Sequence, residues 1–206
     1  RHVGHEQVFA AIDAASSGPV AEGNVGAGTG TTLYQFKGGI GTASRRVGDY
    51  TVGALLQTNF GTREELTVLG VPVGQHVPHL KGQAPQLQDD GSVMIVLATD
   101  APLTARQLTR LAKRAAFGLA RTGTVCHHGS GDFVIAFSTE RGKHPMTPDT
   151  SEFFNPLFQA VVEAVEEAVY NALVAAETLD GRDGHMLYAL PHDALDSLLR
   201  RYGRLT

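Results

Sequence analysis

The chain has 206 residues, 42% of them hydrophobic, and its 17 Lys and Arg against 21 Asp and Glu leave a formal net charge of −4. A globular chain of this size removes roughly 70% of its unfolded surface from water, which excludes disorder as a description of the whole, and the acidic balance argues against a polyanion-binding protein. A single cysteine, Cys126, excludes an intramolecular disulfide, and no run approaches the ~18 apolar residues of a membrane span.

The lone thiol fits a reducing cytoplasm, which is the expected location. The sequence begins at Arg1 without an initiating Met, and it reads as the later part of something longer or as a processed chain.

In chain order, Val8, Phe9, Ile12 and Ala15 predict a helix over residues 6–15, stopped by Ser16-Ser17-Gly18-Pro19. Residues 23–41 read GNVGAGTGTTLYQFKGGIG, two glycine clusters around the alternating Thr32, Leu33, Tyr34, Gln35 and Phe36, the pattern of a short strand between tight turns. Strands are expected over 50–57 and 65–69, on either side of Asn59-Phe60-Gly61. Residues 71–91, with Pro72, Pro78 and Pro85, read as an exposed loop. VMIVLA at 93–98 has the β-branched run of a strand buried on both faces, ended by Thr99-Asp100-Ala101-Pro102. A helix over 104–120 turns Leu108, Leu111, Ala115 and Leu119 inward and Arg106, Arg110, Lys113 and Arg114 outward. A second buried strand is predicted over 132–138. The longest helix, 156–178, has Pro156 in its first turn, Val161, Val165, Ala168, Ala172 and Ala175 as an apolar stripe, and Glu163, Glu166, Glu167 and Glu177 outside. A last helix covers 193–202. Buried strands interleaved with amphipathic helices make a single-domain, layered α/β fold.

Several motifs are weak on inspection. Gly26-Ala27-Gly28-Thr29-Gly30 tempts a phosphate-binding reading, but a dinucleotide fingerprint opens a helix, and a strand-like segment follows here. Turn glycines, or the lining of a non-nucleotide site, account for the cluster. Cys126-His127-His128 lacks the gaps of zinc ligands. Ser130 precedes a strand, whereas a nucleophile elbow follows one. The basic helix face over 106–121 reads as solvated surface, with the acidic last long helix as a plausible neighbour.

Asn59-Phe60-Gly61-Thr62 carries more chemistry. A threonine following glycine at a strand end can attack the glycine carbonyl through its own hydroxyl, form an ester by N-to-O shift, and become an N-terminal residue after hydrolysis. Its free amine, with a pKa of about 7.7 to 8.0, then serves as base for its own hydroxyl. An ordinary glycine turn explains the same four residues.

Residues 23–45 (GNVGAGTGTTLYQFKGGIGTASR), YTVGALLQTNFG at 50–61, GVPVG at 70–74 and ATDAPLTARQLTRLAKRAAFGLARTG at 98–123 resemble the L-aminopeptidase/D-esterase and β-peptidyl aminopeptidase family. GSGDFVIAFST, EEAVYNALVAAETLDGRDGH and ALPHDAL continue the match across nearly the whole chain. The resemblance implies a four-layer α/β/β/α sandwich and a precursor that cuts itself. Residues 1–61 would end the α chain at Gly61, and 62–206 would form the β chain, with Thr62 as nucleophile. It further implies Asn24 as an oxyanion donor, and Thr99 and Asp100 as the hydroxyl and carboxylate beside the nucleophile's amine. On the same resemblance the enzyme needs no cofactor and no metal. It acts on small peptides and amino acid amides or esters, has no nucleic-acid or membrane partner, and assembles as a homo-oligomer of αβ units. The family's α chain extends further upstream and contributes pocket residues not present in this sequence. A hydrolase of ω-amino acid oligomer amides and a catalytically silent assembly subunit of the same fold remain open as alternatives.

Overall fold

The computed structural model describes residues 3–77, 91–142 and 149–206. In chain order the helices are α1 (His5–Asp13), α2 (Val73–His76), α3 (Ala105–Ala112), α4 (Ala115–Arg121), α5 (Ser151–Val174) and α6 (His192–Arg201). The strands are β1 (Thr32–Leu33), β2 (Phe36–Lys37), β3 (Ile40–Val47), β4 (Tyr50–Asn59), β5 (Ser92–Thr99), β6 (Phe133–Ser138), β7 (Leu179–Asp180) and β8 (Met186–Leu187).

One four-stranded sheet, ordered β3-β4-β5-β6, organises the molecule. β3 and β5 both run antiparallel to β4, while β6 is parallel to β5 and is reached through α3 and α4. α5 lies across β3 and β4 on one face. Its Val161, Val165 and Val169 are completely buried, each contributing roughly 1.5–3 kcal/mol relative to exposure. Ala164, Ala168 and Ala172 bring the helix axis close to the sheet. The approach is so close at β3 that a Cβ on Gly41 would lie 1.9 Å from the Ala168 carbonyl oxygen. Arg45 of β3 bonds Glu163 and Glu167 of α5, and Arg121 of α4 bonds Glu166, so the acidic face of α5 does receive basic neighbours.

The helices fall close to their predicted places, with two differences. The 104–120 helix is divided at Lys113 and Arg114, where an Arg114 N–H to Leu111 carbonyl bond tightens the turn and tips α4 onto α5. α5 begins at Ser151, which puts Pro156 inside the helix and Ala175 just past its end. The earlier start follows from Phe153 and Phe154: Phe153 packs edge-on against Tyr50 of β4 at 6.0 Å, and Phe154 is buried. α1 forms as predicted, but its Val8, Phe9 and Ile12 are all exposed.

The strands depart further. The 32–36 strand is instead the β1–β2 ribbon, turned by Tyr34 and Gln35 at φ 49° and 62°. β3 was not anticipated. The 65–69 segment is not a strand: a 3-10 turn over Arg63–Glu65 redirects the chain, and Leu69 and Gly70 at positive φ fold Val68 back onto Val71 in an isolated bridge. Among the described residues, β5 and β6 are covered on one face only. The other face carries Met94, Phe133, Ile135 and Phe137 exposed, paired in register as Met94 with Phe133 and flanked by Ile135 and Phe137 along the edge strand. Most of the 71–91 loop lies outside the described residues, but its start is not exposed: α2 forms there, and Val71, Val73 and Val77 are buried. Among the described residues no helix is long and apolar enough to cross a membrane.

Candidate active site at the end of strand β4

β4 ends where the β1–β2 ribbon is stitched across it. Asn59 Oδ1 accepts from the Thr32 N–H at 3.1 Å, and the Phe60 carbonyl accepts from the Tyr34 N–H at 2.8 Å. Gly61 follows at φ 84°, and a Cβ there would meet the Tyr34 ring at 2.5 Å, so both the left-handed backbone and the aromatic wall demand glycine. Tyr34 cannot retreat. It is fully buried, its ring stands edge-on to Phe60 at 5.4 Å, and its hydroxyl lies 2.6 Å from Thr122 Oγ1 and accepts from the Thr124 N–H. Burial pushes its phenol pKa upward.

Thr62 is extended, at φ −92° and ψ 153°, and opens the 3-10 turn Arg63–Glu65. Its N–H donates to Glu65 Oε2 at 2.9 Å, and Glu65 Oε1 lies 2.7 Å from His127 Nε2. Partial burial acts to raise the Glu65 pKa, but the bonds from His127 and from Thr62 outweigh it, leaving the carboxyl below its ordinary range. Arg63 anchors the turn from beneath. Its guanidinium is buried 3.8 Å over the Phe36 ring and donates to the Gln35 carbonyl, and burial draws its pKa down to about 10.

His127 arrives by sheet topology. Because β6 is parallel to β5 and begins beside Met94, the loop from α4 to β6 passes the end of the sheet where β4 finishes. The Gly131 N–H bonds the Gly91 carbonyl there at 3.2 Å. In the same loop Ser130 Oγ donates to Asp132 Oδ1 at 2.6 Å. The Cys126 thiol is pushed up to about 11 by desolvation and by Asp132, so it is protonated at neutral pH. Among the described residues no three His, Cys, Asp or Glu side chains are grouped to hold a metal ion.

Of the residues expected to act together, Gly61 and Thr62 stand at this strand end. Asn24 is at the same end of the sheet, next to Gly23, which bridges to Ile40 opposite Gln57. Its amide clasps the backbone of Glu177: Nδ2 donates to the carbonyl at 2.8 Å, and Oδ1 accepts the N–H at 3.1 Å. Thr99 and Asp100 are elsewhere. Thr99 pairs with Val52, and Val52 lies seven residue steps from Asn59 along β4, about 23 Å at the usual rise. The antiparallel register therefore corrects the expectation that these two lie beside the Thr62 nitrogen. Thr99 Oγ1 instead donates to the Thr51 carbonyl, and Asp100 Oδ1 accepts from the Thr51 N–H, closing the opposite end of β4 and β5. Nor does Asp100 cap α3; Thr104 does, accepting from the Gln107 N–H.

The carboxylate at the Thr62 nitrogen is Glu65, which the sequence reading passed over. Thr62-x-x-Glu65 is a capping-box spacing and was visible as such. His127 had no comparable signal. The glycine cluster also resolves into a different structure: Lys37 is buried there with Nζ donating to the carbonyls of Gly28, Thr31 and Gly38. Carbonyl oxygens converging on an ammonium are the reverse of an anion cradle.

The description of peptidase family S58 matches residues 1–187. This chain belongs to peptidase family S58. Over 95% of its length the S58 chain is 47% identical to β-peptidyl aminopeptidase BapA of Sphingosinicella xenopeptidilytica, covering 54% of that protein. It is 44% identical over 99% of its length to β-peptidyl aminopeptidase BapA of Sphingosinicella microcystinivorans, covering 58%. Among solved structures it superposes on the L-aminopeptidase D-Ala-esterase/amidase of Ochrobactrum anthropi, described as a variant of the Ntn hydrolase fold. The TM-score is 0.84 at 44% identity, covering 98% of this chain and 58% of that one. The PH0078 protein of Pyrococcus horikoshii OT3 gives a TM-score of 0.87 at 49% identity, covering 100% and 59%. The family resemblance in the sequence is thus borne out, and the fold is a layered α/β fold of the Ntn hydrolase type. The S58 chain spans just over half the length of these curated relatives.

Proposed function

We propose that this chain carries the nucleophile of a self-processing aminopeptidase that releases N-terminal residues from small peptides, amides and esters. The observation that supports the reading best is the Gly61–Thr62 junction. It lies where β4 leaves the sheet, with a left-handed glycine pinned by Tyr34 on one side and an extended threonine on the other. In processing, Thr62 Oγ1 adds to the Gly61 carbonyl carbon, the C–N bond breaks, and the hydroxyl proton passes to the departing Thr62 nitrogen. Water then hydrolyses the ester, leaving a Gly61 carboxylate and a free Thr62 amine.

In turnover the same hydroxyl attacks the substrate carbonyl while the α-amine takes its proton and passes it to the leaving amine. Water then releases the acyl group. Nδ2 of Asn24 has a second hydrogen beyond the one given to Glu177, and we assign it to the oxyanion. The names of the two Sphingosinicella relatives point to N-terminal β-amino acids among the substrates. Neither this route nor the processing step calls on a cofactor, and the active unit is expected to be a homo-oligomer of αβ units.

Mass spectrometry of the complete protein should find a break with Thr62 as a new N-terminus. Thr62→Ala should remain uncut and lose at least a thousandfold in hydrolysis of aminoacyl p-nitroanilides, L-, D- and β-aminoacyl substrates being compared. An uncut but fully active protein would overturn the assignment.

A further inference from the structure

We propose that Glu65 holds the Thr62 nitrogen through processing and turnover, and that His127 positions the Glu65 carboxylate for that task. The inference rests on the Thr62 reading above and adds to it the group that manages the proton.

Three observations carry it. The Thr62 nitrogen already donates to Glu65 Oε2 in the uncut chain, so cleavage turns an amide donor into an amine at a place prepared for it. The second carboxylate oxygen is held by His127, 62 residues further along the chain, which fixes the rotation of the carboxylate plane. Both side chains are about one-fifth exposed, so the pair is partly shielded yet within reach of solvent. A turn cap alone requires the Thr62–Glu65 bond but has no use for the His127 contact, which comes from a different element of the fold.

The chemistry follows from charge. When the amine takes the hydroxyl proton it becomes an ammonium, and the carboxylate 2.9 Å away stabilises that state by accepting one of its hydrogens, leaving another to pass to the leaving amine. The groups facing Glu65 are His127 and Cys126 from the α4–β6 loop, with Asp132 beyond Cys126, and Tyr34 from the β1–β2 ribbon. Arg63 and Glu64 are its own neighbours in the turn. Cys126 and Tyr34 are both neutral at pH 7, since burial raises both of their pKa values. His127 is thus the one cation-forming partner bonded to the carboxylate from outside its own turn among the described residues.

The test uses the complete protein. Glu65→Gln keeps an acceptor for the Thr62 nitrogen and removes the charge, so a cap would survive it and a proton-managing carboxylate would not. The acidic limb of the kcat/KM profile, which follows deprotonation of the Thr62 amine, should move down by about one pH unit in Glu65→Gln, because a neighbouring anion raises an amine pKa. kcat should fall at least tenfold, with KM within twofold. His127→Ala should lower kcat about tenfold, and His127→Gln, which can still donate to Oε1, should restore most of it.

Should Glu65→Gln fail to fold by circular dichroism, the His127→Ala and His127→Gln comparison decides. An unmoved acidic limb in Glu65→Gln, or equal kcat in the two His127 variants, overturns the proposal. If Thr62→Ala is inactive while these variants match the parent, the pair assignment fails alone. If Thr62→Ala still hydrolyses substrate, the nucleophile reading falls as well.

Discussion

Lys37 shows how far one side chain can depart from its ordinary surroundings. It has no exposed surface, and burial lowers its pKa from 10.5 to about 8, even with three carbonyls around the ammonium. A base whose folded pKa is depressed binds fewer protons folded than unfolded between the two values. Its contribution to stability therefore rises with pH from about 8 to about 10.5 and is flat below 8. Denaturant midpoints taken at pH 7.5, 9 and 10 should climb more steeply in the parent than in Lys37→Met. The variant should be less stable throughout, because the carbonyls of Gly28, Thr31 and Gly38 lose their donor. The residue scale is also where the sequence was most uneven. Gly61 and Thr62 could be singled out because the chemistry proposed for them needs only adjacent residues. Glu65 was three residues away in a recognisable capping spacing, yet a strand pattern over 65–69 concealed it. His127 was illegible, since nothing local in Cys126-His127-His128 says that a glutamate 62 positions earlier stands opposite.

Among elements, α5 was the most readable, β3 went unanticipated, and β6 was legible as a strand but not in its covering. A long helix announces itself through a repeated apolar stripe, and Val161, Val165, Ala168 and Ala172 are all buried as that stripe requires. What periodicity did not reveal is how closely the helix approaches the sheet. Gly41 allows contact between β3 and the α5 backbone, and a Cβ there would also stand 2.8 Å from the Ala172 nitrogen. Gly41→Val should therefore push α5 off the sheet and cost about 3 kcal/mol by overpacking, read from denaturant unfolding of the complete protein. A loss below about 1 kcal/mol would mean that helix and strand can slide apart freely. For β6, the apolar run over 132–138 implied a buried strand. Among the described residues α3 packs on one face, and the other stays open. The run was read correctly as a strand; which of its faces would be covered was not in it.

At the scale of the molecule, the open face of the sheet is the largest apolar feature left exposed among the described residues. Among the described residues, helices and one sheet form two layers of the expected four-layer sandwich, and Met94, Phe133, Ile135 and Phe137 make an apolar surface on which another layer could pack. A chain spanning just over half the length of its curated relatives has that surface to offer. Ile135→Lys should change the unfolding free energy of the 206-residue chain by less than about 0.5 kcal/mol, as an exposed substitution does. In the complete protein it should lower Tm by several degrees or reduce the yield of folded enzyme. Equal Tm in parent and variant there would show that nothing covers this face.

The sequence by itself determined the layered α/β class, the family and the long helix α5, because each is written in local periodicity or in contiguous residues. Only the tertiary structure decided which carboxylate stands at the Thr62 nitrogen. Antiparallel pairing of β4 with β5 carries Thr99 and Asp100 about 23 Å away along the strands, while the parallel return of β6 brings His127 to Glu65. Strand register is set by side-chain packing between segments far apart in the chain, so no local reading of either segment contains it.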